Sequence, residues 1–232
     1  MIPVRLLVLW DIDHTLLVMP GFGQRVYTQV FPEVVGKPIG ELAHMSGRPD
    51  LDIIAETLML NGVTPTHELI AAMSAGVVRE FTALSDELRE RGHLLPGCRE
   101  TLAGLADEPG IHQSVLTGNL REVARLKLDV FGLLDYLDLD SGAYGSDHAS
   151  RPELVGIARE RAADRTGATF DGEATVLVGD TPRDVEAALR TGARIIAVPT
   201  GSYSADELRA AGAPVVVGGL GECAELLRDM IA

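Results

Sequence analysis

The stretch at residues 4–16, VRLLVLWDIDHTL, decides how the rest of the chain is interpreted. Residues 4–10 are apolar apart from Arg5 and do not alternate with polar residues, which is typical of a strand buried on both faces of a parallel sheet. Two carboxylates, Asp11 and Asp13, follow at once. The stretch predicts a central strand whose carboxyl end delivers two acidic groups to one edge of a sheet.

Four more short apolar runs are typical of buried strands, and segments with helical spacing separate them. The further predicted strands are residues 113–116, 175–178, 194–198 and 214–217. The predicted helices are residues 97–106, 120–130, 153–165, 182–191, 205–211 and 220–230. Because strand and helix alternate, we predict an α/β fold with a doubly wound, mainly parallel sheet.

Residues 21–94 interrupt this alternation. They show no convincing strand, whereas residues 51–61 and 67–91 carry apolar side chains at helical spacing. Pro96-Gly97 marks the return to the alternating pattern. We therefore predict a helical insert over residues 21–94 and a core formed by residues 1–20 and 95–232.

The composition excludes several classes of protein. The 232 residues include 34 Asp or Glu against 20 Lys or Arg, a net charge of −14, so the surface repels polyanions and no nucleic-acid partner is expected. No apolar run approaches the roughly 20 residues of a membrane span, and the first residues lack the basic lead-in of a signal peptide. Cys98 and Cys223 lie outside any CxxC pattern, which suits free thiols. We expect a cytoplasmic protein without a membrane partner, either a monomer or a homodimer.

Polar residues follow three of the predicted strands. These segments are Asp11-Ile12-Asp13-His14-Thr15, Thr117-Gly118-Asn119 and Gly179-Asp180-Thr181-Pro182-Arg183-Asp184. Ligands of open α/β sheets bind at the carboxyl ends of the strands, so we expect the three segments to meet there.

Four carboxylates in these segments, Asp11, Asp13, Asp180 and Asp184, would raise one another's pKa if they met without a counter-charge. A hard divalent cation removes that conflict, and oxygen ligands suit Mg²⁺. The histidines and cysteines show no zinc-ligand spacing. The sequence therefore predicts Mg²⁺ as the cofactor.

The Thr117-Gly118-Asn119 turn precedes a predicted helix, where a hydroxyl and backbone N–H groups can bind an anion. A metal site, an anion site and two differently placed carboxylates together indicate phosphoryl transfer. In that chemistry one carboxylate attacks phosphorus and the other moves protons.

Three motifs in register resemble one known family. Asp11-x-Asp13-x-Thr15-Leu16 after a hydrophobic strand resembles the first motif of the haloacid dehalogenase-like hydrolases, and Thr117-Gly118-Asn119 is similar to their second. Gly179-Asp180-x-x-x-Asp184 resembles their fourth motif. The helical insert resembles the family's cap of the first type, as in phosphoglycolate-phosphatase-like members. The resemblance implies a Mg²⁺-dependent phosphatase that hydrolyses a small phosphorylated metabolite through an aspartyl-phosphate.

The resemblance also implies roles for single residues. Asp11 would be the nucleophile, and Asp13 would protonate the leaving group and then deprotonate water. Thr117 would hydrogen-bond the transferring phosphoryl group, within the loop that Gly118 and Asn119 complete.

The metal ligands implied by the resemblance are Asp11, the backbone carbonyl of Asp13, and Asp180. Asp184 would join them through water or lie directly behind them.

Two positions depart from the family pattern. His14 stands where the family usually has Gly, and its side chain either contacts substrate or points away. The third motif is a Lys, but the equivalent segment reads Ser150-Arg151-Pro152-Glu153. We therefore predict Arg151 as the catalytic cation. Lys127 ranks second, because its helix is expected to run away from the site.

The insert is expected to carry specificity. Gly47-Arg48-Pro49-Asp50 resembles a segment in the caps of phosphoglycolate-phosphatase-like relatives. Arg48 is predicted to bind a substrate carboxylate or second anion; the alternative is that it pairs with Asp50 or Asp52. Lys37 is a weaker candidate.

Other functions stay open at this point. A phosphomutase of the same family would keep the same residues. A catalytically silent phosphate-binding or signalling domain is also open, although phospho-aspartate receiver domains are shorter and carry their Asp after a later strand. Dehalogenases and phosphonatases are disfavoured, because they lack the acid/base residue at the position of Asp13.

Overall fold

A computed structural model describes residues 5–231. Its strands and helices, in chain order, are β1 (Leu6–Trp10), β2 (Leu17–Val18), α1 (Phe22–Val35), α2 (Asp50–Leu60), α3 (His67–Ala83), α4 (Ser85–Arg91), β3 (His93–Leu94), α5 (Cys98–Ala106), β4 (Ile111–Val115), α6 (Arg121–Val130), α7 (Arg151–Thr166), β5 (Thr175–Gly179), α8 (Pro182–Thr191), β6 (Arg194–Ala197), α9 (Ala205–Ala210), β7 (Val215–Val216) and α10 (Leu220–Asp229). Val4, with which the predicted first strand begins, lies outside the described residues.

Five parallel strands form the main sheet in the order β4-β1-β5-β6-β7. From β1 the chain first builds β4 on one side and then returns to build β5, β6 and β7 on the other. The strand order therefore reverses around β1, and this is where open α/β sheets bind ligands. The predicted doubly wound, parallel α/β fold is confirmed.

Side chains of β1 alternate between two apolar layers. Val8 and Trp10 pack with α5, α6 and α10 on one face, whereas Leu7 and Leu9 pack with α7, α8 and α9 on the other. All five β1 residues are buried. Because both faces are covered, the strand lacks the polar alternation of a half-exposed strand.

Helices α1 to α4 lie between β2 and β3 and share an apolar cluster of their own, which Val123 of α6 and Leu120 directly before that helix join. β2 and β3 pair antiparallel, with Leu17 opposite Leu94, so the chain enters and leaves this helical region side by side. Within the described residues no helix is both long and apolar enough to cross a membrane.

Three details of this region differ from the expectations. His93–Leu94 is a short strand where none was predicted, and α1 was not identified from the sequence. Residues 67–91 form two helices, α3 and α4, which meet at Leu84. Strands of two residues leave almost no periodic signal, because their pairing depends on a partner far away in sequence.

Candidate active site

The carboxyl ends of β1, β4 and β5 meet around one cavity of about 340 Å³. Most of the residues singled out from the sequence line it, together with Lys127: Asp11, Asp13, His14, Arg48, Thr117, Gly118, Asn119, Arg151 and Asp180. Asp184 lies directly behind this lining and contacts Arg151. The structure thus brings all three sequence motifs to one place.

Asp11, Asp180 and Asp184 form a buried carboxylate cluster whose ligand oxygens lie within 4.8 Å of one another. Burial, with the charges of neighbouring carboxylates, raises the pKa of Asp11 to about 7 and that of Asp180 to about 8, although Arg151 opposes both shifts. A bound cation would lower the repulsion among these carboxylates, which Arg151 offsets only in part. The oxygen-only donor set fits Mg²⁺, a hard cation that prefers oxygen ligands.

Asp184 is buried at the start of α8. Its Oδ2 accepts hydrogen bonds from the backbone N–H of Thr181 at 3.0 Å and from the Thr181 hydroxyl at 2.6 Å, which closes a capping box. Its Oδ1 lies 2.5 Å from Nη2 of Arg151. Local helix capping therefore positions this carboxylate against the cation.

Arg151 is the first residue of α7, and its guanidinium is buried against two acidic groups. Nη2 lies 2.9 Å from Oδ1 of Asp11 and also donates to the Leu116 carbonyl at 3.2 Å. Its Nε is buried without a hydrogen-bond partner in the protein. Arg151 thus contacts both Asp11 of the first motif and Asp184 of the fourth.

Lys127 also reaches the site, so the expectation that its helix carries it away is wrong. Its Nζ donates to both carboxylate oxygens of Asp13 at 2.8 Å and to Oδ1 of Asn119 at 2.7 Å. Helical side chains tilt toward the helix N-terminus. A long Lys in the second turn of α6 can therefore reach back to the sheet edge from which the helix starts.

Two side chains hold Asp13: Lys127, and Asn119 of the motif-two loop. Nδ2 of Asn119 donates to Oδ2 of Asp13 and to Oγ1 of Thr117, both at 2.7 Å. Burial alone would raise the pKa of Asp13, but Lys127 and Asn119 outweigh burial and lower it. Asp13 is therefore anionic at neutral pH.

Asp50 is a buried residue whose role in the site was missed from the sequence. Its Oδ1 accepts from the Tyr27 hydroxyl and its Oδ2 from the backbone N–H of Leu120, both at 2.8 Å. Its own backbone N–H donates to the Gly118 carbonyl at 2.7 Å. Asp50 thus joins α2 to the motif-two loop and the start of α6. The one sequence signal for this role was the position of Asp50 directly after Arg48-Pro49, in the segment expected to carry specificity.

The backbone packs so closely here that two positions need Gly. A Cβ on Gly118 would lie 2.3 Å from the Arg48 carbonyl oxygen, and one on Gly145 would lie 1.8 Å from the Gly118 oxygen. Only a residue without Cβ fits such contacts. The Gly118 seen as a turn signal in the sequence therefore serves close packing against the insert.

Arg48 lines the cavity, but its guanidinium is occupied by acidic partners. Nε and Nη2 contact Oδ2 of Asp52 at 2.8 and 2.7 Å, and Nη1 contacts Glu56. The alternative of pairing with Asp52 is confirmed, and Asp50 is not a partner. Lys37 donates to the Asn61 carbonyl and does not line the cavity.

His14 adopts a left-handed backbone conformation, with φ of 60°. That conformation suits Gly, which explains why the family usually has Gly here. The side chain is exposed at the cavity lining, and the backbone carbonyl accepts a hydrogen bond from the Thr200 hydroxyl. The loop that carries Thr200 was not identified from the sequence as part of the site.

The sequence model of the haloacid dehalogenase-like hydrolases matches residues 8–189. The chain belongs to this family. A relative within reach of direct sequence comparison is "Probable phosphatase IndB" of Dickeya dadantii (strain 3937). It is 33% identical over 143 residues, which make up 60% of this chain and 60% of that protein. The aligned part is thus less than two thirds of that relative's length.

Solved structures show the same fold as this haloacid dehalogenase-like hydrolase. A "predicted phosphatase" from Clostridium acetobutylicum is 20% identical, with a TM-score of 0.68 and coverage of 97% of this chain and 99% of that chain. CbbY from Rhodobacter sphaeroides, in complex with phosphate, is 21% identical, with a TM-score of 0.70 and coverage of 94% and 96%. These likenesses concern the fold.

Proposed function

We propose that this haloacid dehalogenase-like hydrolase is a Mg²⁺-dependent phosphatase that hydrolyses a small phosphorylated metabolite. The observation that carries the proposal is the position of Arg151. It contacts both Asp11 and Asp184, while Asp180, Thr117 and the other motif residues line the same cavity. Family membership and the similarity to a probable phosphatase support the same reaction class.

The proposed reaction has two steps. In the first, a carboxylate oxygen of Asp11 forms a bond to phosphorus, the bond from phosphorus to the leaving-group oxygen breaks, and Asp13 gives that oxygen a proton. In the second, water attacks the same phosphorus while Asp13 accepts a proton from the water. The bond from phosphorus to Asp11 then breaks, and inorganic phosphate leaves.

Asp11, Asp180 and the backbone carbonyl of Asp13 would hold Mg²⁺, with Asp184 contributing through water because protein donors already occupy both of its oxygens. When bound, the cation neutralises charge on the phosphoryl oxygens and holds the nucleophile in line. Nε of Arg151 lacks a partner in the protein. A phosphoryl oxygen would supply the missing acceptor, and the Thr117 hydroxyl would donate to another.

Lys127 and Asn119 act on Asp13 in this scheme. Both hold its carboxylate in the anionic form. That form suits the second step, in which Asp13 accepts a proton from water. The first step needs the protonated form, so Asp13 must give up its contact with Lys127 and keep the proton it took from water in the preceding turnover, or take one up from solvent, before it faces the leaving-group oxygen.

We further propose that residues 21–94 act as the cap over a core that supplies the three motifs. Helices α1 to α4 share one apolar cluster, and the β2–β3 pair joins them to the core. Asp50 and Arg48 bring the insert against the motif-two loop. The insert thus supplies the wall of the cavity that faces the leaving group.

The experiment measures phosphate release from 4-nitrophenyl phosphate and a panel of metabolite phosphates, with Mg²⁺ or with EDTA. Turnover is expected only with Mg²⁺, and Asp11→Asn is expected to abolish it. Asp129→Asn, at an exposed position on α6, is the matched control and should keep full activity. Full activity of Asp11→Asn would contradict the mechanism. Isomerisation without net phosphate release would indicate the phosphomutase alternative, and turnover in no assay would indicate a silent binding domain.

A further inference from the structure

We propose that the leaving group of the substrate carries no second anionic group and is partly apolar. This inference rests on the proposed phosphatase function and names the class of metabolite that the same cavity takes. It follows from the partners of the cationic side chains and from the composition of the wall that the insert supplies.

Each Lys or Arg that lines the cavity in the described chain already has a carboxylate partner. Arg151 contacts Asp11, and Lys127 contacts Asp13, so both belong to the phosphoryl side. Only Arg48 lies on the insert side. His14 is the remaining basic side chain of the lining, and it is exposed.

The positive charge of Arg48 is paired with two carboxylates. Its Nε and Nη2 face Asp52, and its Nη1 faces Glu56 and the His44 carbonyl. One guanidinium therefore meets two carboxylates, and all three of its nitrogens have acceptors. The side chain is also largely buried, with 11% of its surface exposed.

The insert side of the cavity thus offers no unpaired cation, because Asp52 and Glu56 both pair with Arg48, and the lining on this side also includes the carboxyl group of Asp50. A substrate carboxylate or second phosphate placed there would meet like charge with no free cation to compensate. An uncharged group meets no such penalty. An unpaired Arg48 would favour an anionic leaving group. Because Arg48 is paired, the cavity disfavours that group.

The rest of this wall is apolar or uncharged. Its apolar surface comes from Tyr27, Met45, Ile53 and Phe81, and Met19 of the core adds to the same lining. Gln24 and Ser46 of the insert, with Ser202 of the core, add neutral hydrogen-bonding groups to the lining. Such a lining suits a leaving group with an apolar part and hydroxyl or amide groups, because the apolar part would pack on the apolar side chains and the polar groups would hydrogen-bond to the neutral ones.

The test compares kcat/KM for two esters, benzyl phosphate and 4-carboxybenzyl phosphate, in Mg²⁺. The two have the same ring and nearly the same leaving oxygen, and differ by one carboxylate. Benzyl phosphate is expected to be hydrolysed more efficiently by about tenfold or more. Equal efficiency, or a preference for the carboxylate, would overturn this inference and leave the phosphatase function standing. Absence of Mg²⁺-dependent hydrolysis for both esters and for the metabolite panel would overturn the phosphatase function and this inference with it.

A double variant isolates the role of Arg48. Asp52→Asn with Glu56→Gln removes both partners' charges at positions that do not line the cavity. The preference for benzyl phosphate is expected to shrink about tenfold, because Arg48 becomes free to bind the carboxylate. An unchanged preference would overturn the inference.

The control is Asp86→Asn with Glu90→Gln, on the exposed surface of α4. It removes the same total charge from the insert without touching Arg48. It should keep the wild-type preference. An equal shift in this control would overturn the assignment to Arg48, since it would show that total charge decides the preference.

Discussion

Replacing Asp50 by Ala tests whether one buried carboxylate joins the insert to the motif-two loop. The substitution leaves the Tyr27 hydroxyl and the Leu120 N–H buried without an acceptor. Each unsatisfied buried donor costs about 1–3 kcal/mol, so the two together cost about 2–6 kcal/mol. Burial raises the pKa of Asp50, so its charge is itself costly and its removal returns part of that sum. We expect a net loss of about 2–4 kcal/mol in the free energy of unfolding.

The assay is urea unfolding followed by the fluorescence of Trp10, the single tryptophan, which is buried in the core. Asp50→Asn should lose less, about 1–2 kcal/mol, because its amide can accept from Leu120 and donate to the Tyr27 oxygen. Asp52→Ala is the matched control: this side chain is 40% exposed, so its ion pair contributes at most about 1 kcal/mol. A loss for Asp50→Ala no larger than that of Asp52→Ala would refute the reasoning.

Three further predictions concern the site. Lys127→Met should lower kcat about 100-fold in steady-state kinetics with little change in KM, because Asp13 needs a positioned cation. Lys127→Arg should restore part of the loss, and a wild-type rate for Lys127→Met would contradict this role. In EDTA the protein should lose stability as pH rises from about 4 to 8, since folding raises the pKa of Asp11 from 3.8 to about 7 and that of Asp180 to about 8. A carboxyl group with a raised folded-state pKa adds stability that is fully present below its unfolded pKa and is lost as the pH rises through its folded pKa. Thermal unfolding at pH 6 and 8 should show this loss and its reversal by Mg²⁺, and a melting temperature that rises with pH in EDTA would argue against it. His14→Gly should stabilise the protein by up to about 1 kcal/mol in urea unfolding, because Gly adopts the left-handed φ of 60° without a steric penalty; a destabilised variant would show that the His14 side chain makes a needed contact.

The sequence by itself determined the strands of the main sheet, their alternation with helices, and the three motifs at the strand ends. Each depends on short runs of neighbouring residues: β1 is a continuous apolar run, and α8 has the predicted bounds because Thr181 and Asp184 form a local cap. The family followed from the same local patterns, as did the position of Arg151, which is the first residue of α7.

Only the tertiary structure decided the direction of Lys127, the role of Asp50 and the partners of Arg48. Lys127 and Asp13 are 114 positions apart, and Asp50 and Leu120 are 70 apart. No periodicity reports such contacts, because they form only when the insert packs against α6 and the sheet edge. The partners of Arg48 are local, but several nearby carboxylates competed for it, and the backbone path of residues 44–56 decided among them. Local pattern therefore determined that the three motifs reach the site, whereas packing brought Lys127 and Asp50 to it and decided which charges remain free to bind substrate.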